Sequence, residues 1–385
     1  MDSTSAQPNR QFRARTVRCG LTAFAALASG LAQAQIASIS AAQAPGMTLY
    51  GLIDTGVEYV SNVGSRKDSV VRMPSLTGSL PSRWGLRGIE NLGGGLNSIF
   101  VLESGFAPSQ GTLNQGGRLF GRQAYVGLFG PWGVVTVGRL YSQIYWSLIG
   151  DTLAPNIFGA GLLDTYLTAA RVDNAIDYTF MLSGFTFGAT YSFGRDAVAP
   201  AVAGGCAGES PADWRACKSM SAMLKYEAAS WGVATAIDRN YGGGGAGSAL
   251  PQSAQTDTRG VINGYVKFGT STVGGGFLHR NNQGSANPSS NYWWLGATYL
   301  PQPQIALDVQ YGRLTVKGSS TGASVIAARA MYMLSKRSSV YITAGRMFNQ
   351  RDASFTIDGG AIGTVSLPSA GVNQTGALIG IRHKF

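Results

Sequence analysis

From Thr48 onward the 385-residue chain is dominated by a hydrophobic period of two, sustained over most of its length. Successive side chains of an extended strand point to opposite faces, so alternation marks a sheet with one apolar and one polar face. From Phe185 to Phe193 every odd position is apolar or aromatic and every even one is small or polar. Residues Ile305 to Tyr311 alternate likewise, with Asp308 and Gln310 on the polar side. So do Met220 to Tyr226, where Lys225 is polar, and Val172 to Tyr178, where Asp173, Ala175 and Asp177 share a face. A helical period fits none of these stretches. Beyond the N-terminus no run approaches the ~20 apolar residues that a membrane-crossing helix needs. A bundle of transmembrane helices is excluded.

Soluble β-sandwiches also alternate, and three features separate the cases. The strands are long, about nine to twelve residues against a usual 5–6. Several carry aromatics at both limits of the apolar face, as Phe185 and Phe193 do, in the manner of membrane-barrel girdles. Connections alternate in length. Short turns (Gly130-Pro131, Leu182-Ser-Gly184, Pro301-Gln-Pro303, Ser335-Lys-Arg337) alternate with long segments at 142–170, 195–219 and 240–258. Short turns on one side and long loops on the other define the bacterial outer-membrane barrel. Sixteen segments alternate, starting near Thr48, Arg83, Leu96, Phe120, Gly133, Arg171, Gly184, Met220, Trp231, Gly260, Thr272, Asn291, Gln304, Val325, Ser339 and Gln374. The seven past Trp231 are clear, whereas Val325 to Leu334 reads ambiguously and the strand that Arg122 begins has less distinct faces. The expected fold is all-β, a 16-stranded antiparallel transmembrane barrel, wide enough for a water-filled lumen.

The first 34 residues read as an export signal. Arg10, Arg13, Arg15 and Arg18 precede an apolar run from Cys19 to Leu31, and Ala32-Gln33-Ala34 supplies a cleavage site. A second such site, Ala42-Gln43-Ala44, puts cleavage as late as residue 44. Residues 35–385 then form a single barrel domain. Removing the signal takes four arginines and one aspartate from 30 basic and 19 acidic residues, leaving a net charge near +8. An exported chain without a dense Lys/Arg cluster is not expected to bind nucleic acid. Two cysteines remain, Cys206 and Cys217; an oxidising compartment favours a disulfide between them, with two free thiols as the alternative. Only two histidines, His279 and His383, are available for chemistry. No enzyme, metal or cofactor is expected.

Several stretches together resemble the Gram-negative general porins of β-proteobacterial type. They are Met47–Thr55, Ser82–Leu96, Phe100–Phe106, Gly121–Leu128, Gly133–Arg139, Leu334–Arg337 and Gln374–Phe385. The resemblance implies a homotrimer in the outer membrane of a Gram-negative bacterium and a third extracellular loop folded into the pore. It implies passive diffusion of small hydrophilic solutes and ions, within a shell of outer-membrane lipid and lipopolysaccharide. It also implies that Phe385, closing an alternating strand with Ile379, Ile381 and His383 on its face, is the insertion signal read by the barrel assembly machinery.

Charges on the narrowest ring decide selectivity in such pores. Arg83 and Arg87 share one face of their strand, opposite Trp84 and Leu86, and Arg171 shares a polar face with Asp173 and Asp177. By resemblance, Arg83, Arg122 and Arg171 fall where the family carries its basic ladder. The third-loop candidate, 141–170, has only Asp151 and Asp164 as acids, fewer than many general porins place there. Those two either line the constriction or anchor the loop. Tyr141, Tyr145 and Trp146 either narrow the pore or pack the loop. Asp54 and Glu58 on the first strand are further lumen charges. The expected function is a general diffusion porin with mild anion selectivity. The rivals are a substrate-specific channel, a barrel enzyme and a poreless adhesion barrel.

Overall fold

The computed structural model describes residues 46–74, 78–153, 158–196, 206–245, 248–358 and 366–385. The export segment and its cleavage sites lie outside the described residues. Sixteen long strands form the wall: β1 (Gly46–Val63), β2 (Arg83–Gly93), β3 (Leu96–Ala107), β4 (Gln123–Gly130), β5 (Gly133–Tyr141), β6 (Arg171–Leu182), β7 (Phe185–Ser192) and β8 (Ser219–Glu227). They continue as β9 (Trp231–Tyr241), β10 (Thr256–Phe268), β11 (Ser271–Asn282), β12 (Ser289–Gln302), β13 (Ile305–Val316), β14 (Ala323–Met333), β15 (Ser338–Asn349) and β16 (Gln374–Lys384). Each pairs antiparallel with its sequence neighbour, and β1 pairs with β16 from Leu52↔Lys384 to Val60↔Gly376. The sheet therefore closes and no long edge remains to be managed. Two short strands that carry no alternating signal, Asp68–Arg72 and Thr112–Leu113, pair with β1 and β3.

The alternation places side chains as the period demands. Phe185, Phe187, Val309 and Ile379 are exposed on the outer face, whereas Thr186, Thr190, Lys225 and Asp308 are buried inward. A one-residue slip would exchange these sets. The tight turn between β6 and β7 has Ser183 and Gly184 both at positive φ, 49° and 86°. That geometry suits the right-handed twist of paired strands, and glycine adopts it without a steric penalty. At the seam, the N–H of Gly51 donates to the Phe385 carbonyl and the N–H of Phe385 donates to the Gly51 carbonyl, both at 3.1 Å. A Cβ at Gly51 would meet the Phe385 ring at 2.5 Å, so the ring rests on space that only glycine leaves open.

Residues 142–153 and 158–170, between β5 and β6, lie against the inner wall. They form α1 (Gln143–Ser147), a 3-10 turn (Ala160–Leu162) and α2 (Tyr166–Ala169). Ile144, Leu153, Phe158, Tyr166 and Leu167 pack with inward side chains such as Met223, Val261, Leu278, Tyr292 and Trp294 in one buried cluster. At Gly150 the backbone approaches the wall closely: a Cβ there would lie 2.5 Å from the carbonyl oxygens of both Gly264 and Gly275. Outside the barrel ends, Cys206 and Cys217 are joined by a disulfide, buried beside Ala216.

Candidate constriction and its charges

Three arginines from separate parts of the sequence converge on one carboxylate and one phenol. Glu103, inward on β3 and fully buried, accepts from Arg122 Nε at 2.7 Å and from the Tyr50 hydroxyl at 3.1 Å. Arg83 Nε on β2 lies 3.6 Å from the same carboxylate. The Tyr141 hydroxyl, at the end of β5, accepts from Arg122 Nη2 at 2.8 Å and from Arg171 Nη2 at 2.6 Å. The Arg171 guanidinium also sits 4.5 Å above the Tyr141 ring. Among the described residues no carboxylate lies within ion-pair distance of Arg171. Arg122 precedes β4 in a turn, whereas the alternation places it within a strand opening near Phe120. Its backbone N–H donates to the Glu103 carbonyl at 3.1 Å, which fixes it to the wall all the same.

Tyr141, Tyr145 and Trp146 form a cluster beside these arginines. The two tyrosine rings stack at 3.8 Å, and Trp146 meets both edge-on. Arg87 packs over the Tyr50 ring at 5.4 Å. Arg329 and Arg382 extend the basic row along the wall, a feature that alternation alone does not single out. Arg329 pairs with Asp308 at 2.8 Å. Arg382 donates to Ser79 Oγ at 3.4 Å and has no carboxylate within ion-pair distance among the described residues.

The acids are committed elsewhere. Asp54 accepts from the backbone N–H groups of Ser79 (3.1 Å) and Leu80 (2.8 Å) and from the Tyr341 hydroxyl. Glu58 is bound by Arg72 at 2.5 Å, and the same arginine reaches Asp358. Asp173 pairs with Arg139 at 2.5 Å and Arg118 at 3.0 Å, not with Arg171. Asp177 accepts from Gln143 of α1 and from Thr190 at 2.6 Å. Asp151 accepts from Gln310 Nε2 at 2.9 Å.

Asp164 is bound to the wall. Arg259, fully buried on β10, reaches it through Nε at 2.9 Å and Nη2 at 3.3 Å, and also pairs with Asp257 at 2.9 Å. Further ties hold the same segment. Asp238 on β9 accepts from Ser142 Oγ at 2.5 Å and from the Tyr166 hydroxyl at 2.7 Å. Asn263 accepts from the Gly150 N–H at 2.7 Å and donates to the Ser147 carbonyl at 2.8 Å. Arg259, Asp238 and Asn263 are site residues that the sequence does not announce. Their inward positions in alternating strands are the only signal it carries of them.

Burial works against an ionised Asp164, but Arg259 and Arg280 outweigh it and hold the carboxyl below its ordinary 3.8. A depressed folded-state pKa contributes stability that is fully present above the unfolded value and is lost as pH falls through the folded one. The tie is therefore expected to persist from pH 7 through about pH 4 and to loosen only in stronger acid. Open-channel noise measured across that range tests it; a rise already at about pH 5 to 6 contradicts the assignment.

A family model described as Gram-negative porin matches residues 20–354. The chain belongs to the Gram-negative porin family. An outer membrane porin protein of Bordetella pertussis is 38% identical over 187 residues, which are 44% of this chain and 46% of that protein. The chain thus aligns with about half of that relative's length. Outer membrane porin protein 32 of Delftia acidovorans is 27% identical over 377 residues, 92% of this chain and 99% of that protein. Among solved structures, an anion-selective porin from Comamonas acidovorans superposes with a TM-score of 0.72 at 24% identity, covering 89% of this chain and all of that one. The protein is an outer-membrane porin of a Gram-negative bacterium, and porins are channels.

Proposed function

We propose that this porin is a general diffusion pore for small hydrophilic solutes and ions, with a mild preference for anions. The convergence of Arg83, Arg122 and Arg171 on the single carboxylate Glu103 and its neighbouring phenol carries the reading. Asp151 and Asp164, the acids of the segment lying inside the barrel, are engaged by Gln310 and Arg259, so they do not form an acidic row opposite the arginines. Positive charge in a confined lumen acts more strongly than in bulk water, because the effective dielectric falls below ~80. Salt screens it over about 8–10 Å. The reversal potential across a KCl gradient is expected to show chloride preferred at low salt, with the ratio approaching unity as salt rises. A potassium preference sinks the reading. A substrate-specific channel is the second reading, favoured by Tyr145 and Trp146 beside the arginines. It requires flux that saturates with one solute class instead of following solute size.

The working unit in this reading is a homotrimer. Leu49, Ile53 and Val57 give β1 an exposed apolar outer face, continued by the half-buried Trp84 and Leu86 on β2. Native mass spectrometry of the detergent-solubilised porin is expected to show three copies; a monomer at every concentration removes the proposal. Residues 1–34 serve as the export signal, Phe385 as the mark for the assembly machinery, and lipid with lipopolysaccharide as the surrounding partners.

A further inference from the structure

The Tyr141 hydroxyl has an unusual pair of partners. It accepts from Arg122 Nη2 at 2.8 Å and from Arg171 Nη2 at 2.6 Å, so guanidinium donors use both lone pairs of its oxygen. Two guanidiniums aimed at one oxygen are the arrangement that elsewhere grips a carboxylate or a phosphate. On Arg171 the Nε–H lies on the same edge as Nη2 and is buried with no hydrogen-bond partner among the described residues. Without Tyr141 that edge is a ready bidentate clamp for an oxyanion.

The surroundings fix the tyrosine in place. Tyr141 closes β5 and is buried, with the Arg171 guanidinium 4.5 Å from its ring and the Tyr145 ring stacked at 3.8 Å. Helix α1 buries Gln143, Ile144 and Ser147 and leaves Tyr145 and Trp146 half-buried beside Tyr141. Arg122 and Arg171 are buried in this cluster, whereas Arg83 is half-buried. A carboxylate in the place of the phenol would cancel one arginine. The phenol fills the donors and leaves the charges of Arg83, Arg122 and Arg171 opposed by Glu103.

We propose that Tyr141 is an internal ligand that occupies the oxyanion seat between Arg122 and Arg171, so that anions are attracted by the ring without being bound in it. The two effects differ in range. Attraction between charges falls slowly with distance, whereas a hydrogen bond is confined to about 3.2 Å. An ion is conducted only if it can leave the narrow ring as readily as it enters. The tethered oxygen is already in position, while a passing anion must give up its freedom of motion to replace it. Tyr141 is therefore a positioning residue for passage, acting through the two arginines, and it keeps flux from saturating. The proposal rests on the reading that these arginines form the narrow ring, and it is independent of the size of the ion preference.

The test uses the full porin in planar bilayers, with inorganic phosphate added to KCl at constant ionic strength as the probe. The parent current is expected to be insensitive to millimolar phosphate. In Tyr141→Ala the half-blocking concentration should fall by about tenfold or more, because charge-assisted hydrogen bonds become available to the solute. Tyr141→Phe keeps the stacked ring and loses only the oxygen, so it should shift the block the same way by about threefold. p-Cresol, the tyrosine side chain as a free molecule, should relieve the block in Tyr141→Ala, which a merely structural role does not predict. Adding Arg171→Gln to Tyr141→Ala should abolish the block and so locate it at this seat. Tyr145→Ala, which leaves the phenol oxygen in place, should create no block. Phosphate that blocks the parent as strongly as the Tyr141 variants, or that blocks none of them, overturns the proposal. A block that p-cresol leaves unrelieved overturns it too. Should Tyr141→Ala fail to fold, the nearly isosteric Tyr141→Phe still decides. A parent that prefers potassium yet shows this pattern sinks the anion reading and leaves the role of Tyr141 standing.

Discussion

Exchanging Arg83, Arg122 and Arg171 together for glutamate is expected to turn the pore from chloride-preferring to potassium-preferring. Three positive charges become three negative, a swing of six around one narrow ring. At ~5 Å through water each unit charge acts on a passing ion with about 0.8 kcal/mol, more where the lumen lowers the dielectric. Screening over about 8 Å at physiological salt removes part of this. What survives amounts to on the order of a tenfold change in the permeability ratio, since about 1.4 kcal/mol is one decade. The new carboxylates also crowd Glu103, which loses Arg122 at 2.7 Å and Arg83 at 3.6 Å. The milder set Arg83→Gln, Arg122→Gln and Arg171→Gln therefore accompanies it and is expected to abolish the preference without inverting it. Reversal potentials at low salt give the reading. An unchanged sign in the glutamate set, with the barrel correctly folded, means that the selective ring lies elsewhere on the wall.

The wall is legible in the sequence because its rule is local. A period of two needs only neighbours, so alternation by itself puts Thr186 against Phe187 and Asp308 against Val309 on their correct faces. The ladder positions come from resemblance, and their geometry is not legible. Arg122 is held by Glu103 and Tyr141, each 19 residues away, across strands whose register no single segment dictates. The acids show the limit most clearly. Glu58 suits a counter-charge to the ladder, yet it is bound to Arg72 of a short strand that carries no alternating signal. Asp173 shares a face with Arg171 but pairs with Arg139, brought in from β5 by the sheet. Asp164 and Arg259 are 95 residues apart. Alternation says that Arg259 points inward; only the closed barrel says what it meets there.

That distant pair carries the second large effect. Removing one partner of a buried ion pair costs about 3–5 kcal/mol, because the charge left behind has no water to replace the lost group. Arg259→Ala strands two carboxylates at once, Asp164 at 2.9 Å and Asp257 at 2.9 Å, although Arg280 still reaches Asp257 at 2.8 Å. The relief open to the protein is to let the 158–170 segment leave the wall and carry Asp164 into the aqueous lumen. The expected result is a noisier channel of altered conductance that admits a different range of solute sizes, in a barrel whose strands remain intact. Asp164→Asn keeps the N–H contact of Tyr166 to the side chain and loses the ion pair, so it should show the same change in smaller degree. The double variant Asp164→Asn with Arg259→Met leaves a single carboxylate facing Arg280 and should recover stability relative to Arg259→Ala. Single-channel recording and thermal unfolding of the four proteins separate the outcomes. If Arg259→Ala conducts with parental noise and amplitude, the segment is held by Asp238, Asn263 and its apolar packing alone, and the ion pair contributes to folding but not to the pore.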